Sequence, residues 1–145
     1  EAKNIMESYF ERFGGVKRYL DEVVEQARRD GYTSTVFGRR RYLPELNSEN
    51  RVARENAERA ALNAPIQGTA ADIIKVAMLR VDAALQGKQS RVLLQVHDEL
   101  VVEVAPGELE EVREIVEREM DGAIELLVPL EVSAGTGANW DAAAH

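Results

Sequence analysis

The chain has 145 residues, no Cys, two His, and 18 Lys and Arg against 26 Asp and Glu. That length suffices for one domain with a real core. The missing Cys excludes a disulfide frame, a thiolate metal site and a Cys nucleophile, and two His, one of them C-terminal, argue against a zinc centre. No apolar run reaches membrane-spanning length and no signal peptide is visible, so the expectation is a piece of a longer cytoplasmic protein with no membrane partner.

The net charge of −8 argues at first sight against nucleic acid. Its distribution weakens the objection. Residues 1–62 hold 12 Lys and Arg and 11 Asp and Glu, a net of +1, and residues 63–145 hold 6 and 15, a net of −9. A phosphate-binding face needs only local positive charge.

Glu1 to Phe13 carries Ile5, Met6, Tyr9, Phe10 and Phe13 at helical spacing, which predicts a helix whose aromatics serve the core. Gly14-Gly15 breaks it. A second helix is expected from Val16 to Asp30, with Leu20, Val23, Val24 and Ala27 on one face, Arg28 and Arg29 in its last turn, and Gly31 as its stop. Tyr32 to Leu43 reads as a hairpin turning at Gly38 and closed by Pro44. Arg39, Arg40 and Arg41 follow that turn, either to protect a strand edge or to meet phosphates.

Ser48 is expected to cap a helix starting near Glu49, supported by the pairs Arg51–Glu55, Arg54–Glu58 and Glu55–Arg59. Arg59, Asn63 and Gln67 recur every fourth residue, so on one helix each step drifts by only about 40°. Pro65 and Gly68 predict a kink there. Thr69-Ala70-Ala71-Asp72 fits a capping box opening a further helix, with Ile74, Ala77, Met78, Val81 and Leu85 inward. The Arg–Asn–Gln row has chemical content. All three side chains donate hydrogen bonds, and the DNA minor groove shows purine N3 and pyrimidine O2 acceptors at every base pair. Such a row could hold duplex of any sequence; it could equally be a solvated polar stripe.

Arg91 to Val104 reads as two short strands joined by the polar residues His97, Asp98 and Glu99, with Val92, Leu94 and Val96 alternating against Leu93 and Gln95. The trio is either a solvated turn or a carboxylate site for Mg²⁺, and spacing leaves both open. An acidic helix from about Glu108 to Leu126, a last strand at Pro129–Val132 and a loose turn at Gly135, Gly137 and Asn139 beside Trp140, read as a packing anchor, complete the chain. The fold class is α+β: helices packed on a small, mainly antiparallel sheet.

Three runs carry a resemblance: G-R-R-R-Y-L-P-E-L at Gly38–Leu46, E-R-A-A-L-N-A-P-I-Q-G-T-A-A-D at Glu58–Asp72, and L-L-Q-V-H-D-E-L at Leu93–Leu100. In this order and at these gaps, through to N-W-D at Asn139–Asp141, the chain resembles the family A DNA polymerases of bacteria over essentially its whole length. The resemblance implies that residues 1–64 are the end of the fingers and 65–145 the C-terminal palm, with motif C on the hairpin at 92–104. It implies catalytic roles for Asp98 and Glu99, with Asp98 one ligand of a catalytic pair of Mg²⁺ ions. It implies DNA contact by Arg59, Asn63, Gln67 and His97, with His97 near the primer terminus.

The activity so implied is template-directed joining of deoxynucleoside triphosphates to a primer 3′-hydroxyl, in DNA replication and repair, in the bacterial cytoplasm at the nucleoid. The partners would be primer–template DNA, deoxynucleoside triphosphates and the upstream part of the same polypeptide, with no obligate oligomer. Motif A and the nucleotide-gripping fingers helix are absent from these residues, so the fragment alone is expected to be inactive. Alternatives are a metal-dependent nuclease or phosphotransferase, for which Asp72 and Glu103 would have to converge on the hairpin, a non-catalytic duplex-binding module, or a single-subunit RNA polymerase of related fold.

Overall fold

In the computed structural model, which describes residues 2–143, the chain divides into two compact units, Glu1–Thr69 and Ala70–His145. Each is taken by itself. Glu1, Ala144 and His145 lie outside the described residues.

The first unit begins with helices α1 (Ala2–Arg12) and α2 (Gly14–Asp30). The glycine pair does break the helix, but both glycines belong to α2. The α1 aromatics do not form a core. Tyr9 and Phe13 stack on each other with centroids 4.9 Å apart and remain exposed, as do Ile5 and Met6. Helical spacing identified an apolar face but not what covers it. α2 ends as its composition demands: Gly31 takes φ 80° and its N–H donates to the Ala27 carbonyl.

A short antiparallel ribbon follows, β1 (Tyr32–Ser34) with β2 (Arg40–Tyr42), then a 3₁₀ turn at Pro44–Asn47. The unit's core is Ala27, Leu43, Leu46, Ala57 and Ala61, joined by Val24 and Ala60. Alanines here let α2 and the next helix approach closely around the fully buried Leu46.

That next helix, α3 (Arg51–Ala84), is the longest element, and it departs from the sequence reading. Two helices separated near Pro65 are expected; one continuous helix is found. Proline removes a single N–H from the ladder, and Pro65 is buried, so packing outweighs the lost bond. Thr69 therefore caps nothing in α3. The N-cap is also displaced. Asn50, not Ser48, caps the helix: its Oδ1 accepts from the Val52 and Ala53 N–H groups at 3.0 and 3.2 Å. Ser48 instead accepts from Asn50 N–H at 3.1 Å. Of the expected i,i+4 pairs, Arg51–Glu55 forms at 2.6 Å. Arg54 turns to the Ser48 carbonyl, Glu58 to Arg28 and Arg59 to Asn56, because each has a nearer alternative acceptor or donor.

In the second unit Val81 of α3, and Leu85 just after its end, form a core with Val112 and Ile115 of α4 (Leu109–Asp121). The ribbon β3 (Arg91–Val96) with β4 (Glu99–Glu103) packs on it through Val92, Leu100 and Val102. Arg80 ties α3 to α4, its Nε donating to Glu119 at 3.1 Å and Nη1 to the Gly122 carbonyl.

The register of the ribbon explains a second departure. Val92 pairs with Val102 and Leu94 with Val101, leaving Leu93 as an extra residue, a β-bulge. Cross-strand partners share a face and neighbours along a strand alternate. Leu94 therefore lies on the face opposite Val92, and it is 44% exposed. Strict alternation had placed both on one side.

α4 stops at Gly122 rather than continuing to Leu126. The expected strand at Pro129–Val132 is irregular chain. A strand exists only as one side of a ladder, and no described segment pairs there. The described sheets are accordingly two separate two-stranded ribbons, within the α+β class expected. Trp140 opens the one-turn helix α5 (Trp140–Ala143) and is 46% exposed, not an anchor. Compactness near it comes from glycine: a Cβ on Gly135 would sit 2.0 Å from the Ala143 carbonyl oxygen.

A candidate active-site turn and a candidate nucleic-acid face

β3 and β4 are joined by His97 and Asp98 alone, between the paired residues Val96 and Glu99. So tight a connection requires a left-handed residue at its first position to match the strand twist. His97 supplies it, with φ 54°, where glycine is the ordinary choice. It is the one non-glycine residue with positive φ among the described residues. Gln95 Nε2 donates to the His97 carbonyl at 2.6 Å, bracing the turn from within. Backbone held in this region stores strain that surrounding structure must sustain, a pattern concentrated at functional sites.

His97, Asp98 and Glu99 are all exposed. The side-chain carboxylates of Asp98 and Glu99 make no hydrogen bond or ion pair with any described residue. Two unneutralised carboxylates thus project from the end of a stiff ribbon whose other face packs on Val81, Leu85 and Val112. Neither Asp72 nor Glu103 joins them. Glu103 pairs with Arg91 at 2.8 Å at the far end of the ribbon, and no group of three or more potential metal ligands forms among the described residues. The carboxylates a self-contained nuclease would need do not converge here.

The base of the ribbon is held differently, by a network the sequence reading missed. Glu108 accepts from Ser90 Oγ at 2.5 Å, Ser90 N–H at 3.0 Å and Gln89 N–H at 3.2 Å, while Ser90 Oγ accepts from Ala105 N–H at 2.9 Å. The Ser90 hydroxyl first, and the Gln89 amide next, hold the Glu108 carboxyl below its usual range. The only advance signal was a Ser and a Glu just outside the two strands.

In the first unit Arg59, Asn63 and Gln67 are exposed on uninterrupted helix, so the three lie along one face. The Arg59 side chain bonds Asn56, one turn back; the side chains of Asn63 and Gln67 make no hydrogen bond to a described residue. Gln67 also lines a recess of about 220 Å³ shared with Arg39, Arg40 and Arg41. The three arginines behave differently. Arg39 reaches the Gly68 carbonyl at 3.1 Å, Arg40 lies over the Tyr32 ring at 4.4 Å, and the exposed Arg41 side chain makes no hydrogen bond or ion pair to the described residues.

These features bear comparison with known proteins. Residues 1–142 match the model of DNA polymerase family A, and the chain belongs to that family. Among its relatives, DNA polymerase I of Mycobacterium bovis is 68% identical over the full chain, and DNA polymerase I of Streptococcus pneumoniae is 53% identical over 97% of it. The chain spans about one-sixth of these relatives, 16% of each. A solved structure described as the POL domain of Pol1 from M. smegmatis, in complex with DNA primer-template and dNTP, is 67% identical and superposes with a TM-score of 0.98, covering all of this chain and 26% of that one.

Proposed function

We propose that this chain is the C-terminal part of a DNA-directed DNA polymerase: residues 1–64 the end of the fingers, residues 65–145 the C-terminal palm, and the β3–β4 turn part of the catalytic centre. The observation that carries the reading is the pair of unneutralised carboxylates at the end of a packed ribbon, in a chain whose 67%-identical structural neighbour was solved with primer-template and dNTP.

Asp98 fits a divalent cation on its own chemistry: an exposed carboxylate, free of competing cations, on a support that cannot swing. In the intact enzyme it would be one ligand of a Mg²⁺ pair completed by residues elsewhere in the polypeptide. Such a pair would supply charge neutralisation and activation of oxygen for displacement at phosphorus. The chain's own part is placement. The short turn fixes the Asp98 backbone at the end of the ribbon, Glu99 adds negative potential beside its carboxylate, and His97 would face the primer end. Arg59, Asn63 and Gln67 donate to minor-groove acceptors common to all base pairs, aligning duplex independently of sequence. Positioning and preorganised charge are the main contributions a protein makes to phosphoryl transfer.

In the intact polymerase, Asp98→Ala should lower primer-extension turnover by at least ~10³-fold, the scale of losing a preorganised charge-stabilising group, while duplex affinity stays near wild type. Turnover within tenfold of wild type would remove Asp98 from this role. A non-catalytic duplex-binding module would instead bind duplex without Mg²⁺ and keep that binding after loss of Asp98, with no turnover in the unsubstituted protein. The 145-residue chain alone should incorporate no nucleotide.

A further inference from the structure

Gln67 sits at a weak place in its helix. Pro65, two residues before it, donates no N–H to the ladder, and Gly68, immediately after, is the residue that least favours helix apart from proline. A side chain asked to meet a groove acceptor within a few tenths of an ångström is poorly placed on backbone so punctuated. The ribbon of the first unit compensates. Its turn, Thr35 to Arg39, is closed by Thr35 N–H donating to the Arg39 carbonyl and Gly38 N–H to the Thr35 carbonyl, each at 2.9 Å. Arg39 N–H further donates to Thr35 Oγ1 at 3.2 Å.

This rigid turn docks on α3 at the two residues after Gln67. Val36 N–H donates to Thr69 Oγ1 at 3.1 Å, and Arg39 Nη2 donates to the Gly68 carbonyl at 3.1 Å. The fit is close: a Cβ on Gly68 would lie 2.8 Å from Thr35 Cγ2 and 3.2 Å from Arg39 Nη2. Glycine at 68 is thus the residue that lets the turn approach. Thr69, which the sequence offered as a helix cap, is used as the acceptor for another element's backbone.

We propose that the Thr35–Arg39 turn is a positioning device for Gln67, with Thr69 and Arg39 the residues that lock it, and that it sharpens the polymerase's response to a mispaired primer terminus. The proposal rests on the minor-groove reading of Gln67 above. The turn touches no reacting atom; it acts by holding one helical turn still. Loosening it lets Gln67 follow an acceptor displaced by a mismatch, so matched and mismatched ends are told apart less well.

The test uses the intact polymerase and the ratio of kcat/KM for extending a matched over a mismatched terminus, a ratio that loss of folded enzyme cancels. Thr69→Val removes the acceptor at constant shape, Thr69→Ser restores it, and Gly68→Ala forces the turn away. Thr69→Val and Gly68→Ala should each lower the ratio by ~2- to 10-fold, the span of one ordinary hydrogen bond. Thr69→Ser should recover it, and neither change should add to Gln67→Ala. A wild-type ratio in Thr69→Val, or a loss that persists undiminished in the Gln67→Ala background, overturns the positioning role alone. A wild-type ratio in Gln67→Ala overturns the minor-groove reading itself, and the positioning role with it.

Discussion

The molecule contains two hairpins of similar size that are fastened at opposite ends. The β1–β2 ribbon turns through Gly38 at φ 82°, a conformation glycine adopts without cost, and its turn is pinned to α3 by Thr69 and Gly68. The β3–β4 ribbon turns through His97 at φ 54°, carries the strain, and is pinned at its base by Ser90 and Glu108 while its turn stays bare. A turn tied down by its own polar groups can brace something else. A turn meant to offer its polar groups must leave them unspent and take its rigidity from the strands behind. Under the proposed function, the difference separates a hairpin that supports from one that acts.

Beyond the loss of turnover expected at Asp98, the comparison breaks most directly at the base of the second ribbon. Ser90→Ala strips the Ala105 N–H of its acceptor and Glu108 of its shortest bond. It should lower the local stability of β3 and β4 by ~1 kcal/mol, the scale of one ordinary hydrogen bond, read as faster amide hydrogen exchange across both strands. Equal exchange in the two proteins would show that the base does not anchor the ribbon.

The same network makes the anchor sensitive to acid. The Glu108 carboxyl titrates below its ordinary value of 4.5 in the folded chain. Its contribution is therefore fully present above the ordinary value and is lost as pH falls through the lowered one. Exchange protection at Ser90 and Ala105 should hold steady at neutral pH and decline below about pH 4.5. Glu108→Gln, which cannot ionise, should abolish that pH dependence.

The smallest effect sharpens the contrast between the turns. His97→Gly removes the cost of a side chain at positive φ and should stabilise the second ribbon by ~0.5–1 kcal/mol, less the added freedom of glycine in the unfolded chain. The matching exchange should slow at Val96 and Glu99. Unchanged or faster exchange there would mean that the turn is not strained.

Much of this was legible in the residues. Both hairpins, the helix stop at Gly31, the α+β class and the row at Arg59, Asn63 and Gln67 follow from periodicity and turn chemistry, which are local. What escaped depends on neighbours. Pro65 looks like a break until the helix is seen to bury it; Ser48 looks like a cap until Asn50, two residues on, proves better placed. Pro129–Val132 has strand composition, yet a ladder needs a partner that no described segment supplies. Tyr9, Phe13 and Trp140 look like core residues because apolar spacing reports a face, not its covering. At the candidate site the residue types at 97–99 were readable. The left-handed His97 was not, because loop length fixes it only once the register is known.

The supernumerary Leu93 has its own consequence. It splits β3 into two halves that keep separate count, Arg91–Val92 facing Glu103–Val102 and Leu94–Val96 facing Val101–Glu99. Deleting Leu93 would leave Val92 opposite Val102 and Leu94 opposite Val101, so the acidic end would keep its side while the bend and extra twist of the bulge were lost. What the extra link adds is curvature: it bends β3, while the uninterrupted β4 sets the side on which Asp98 is presented.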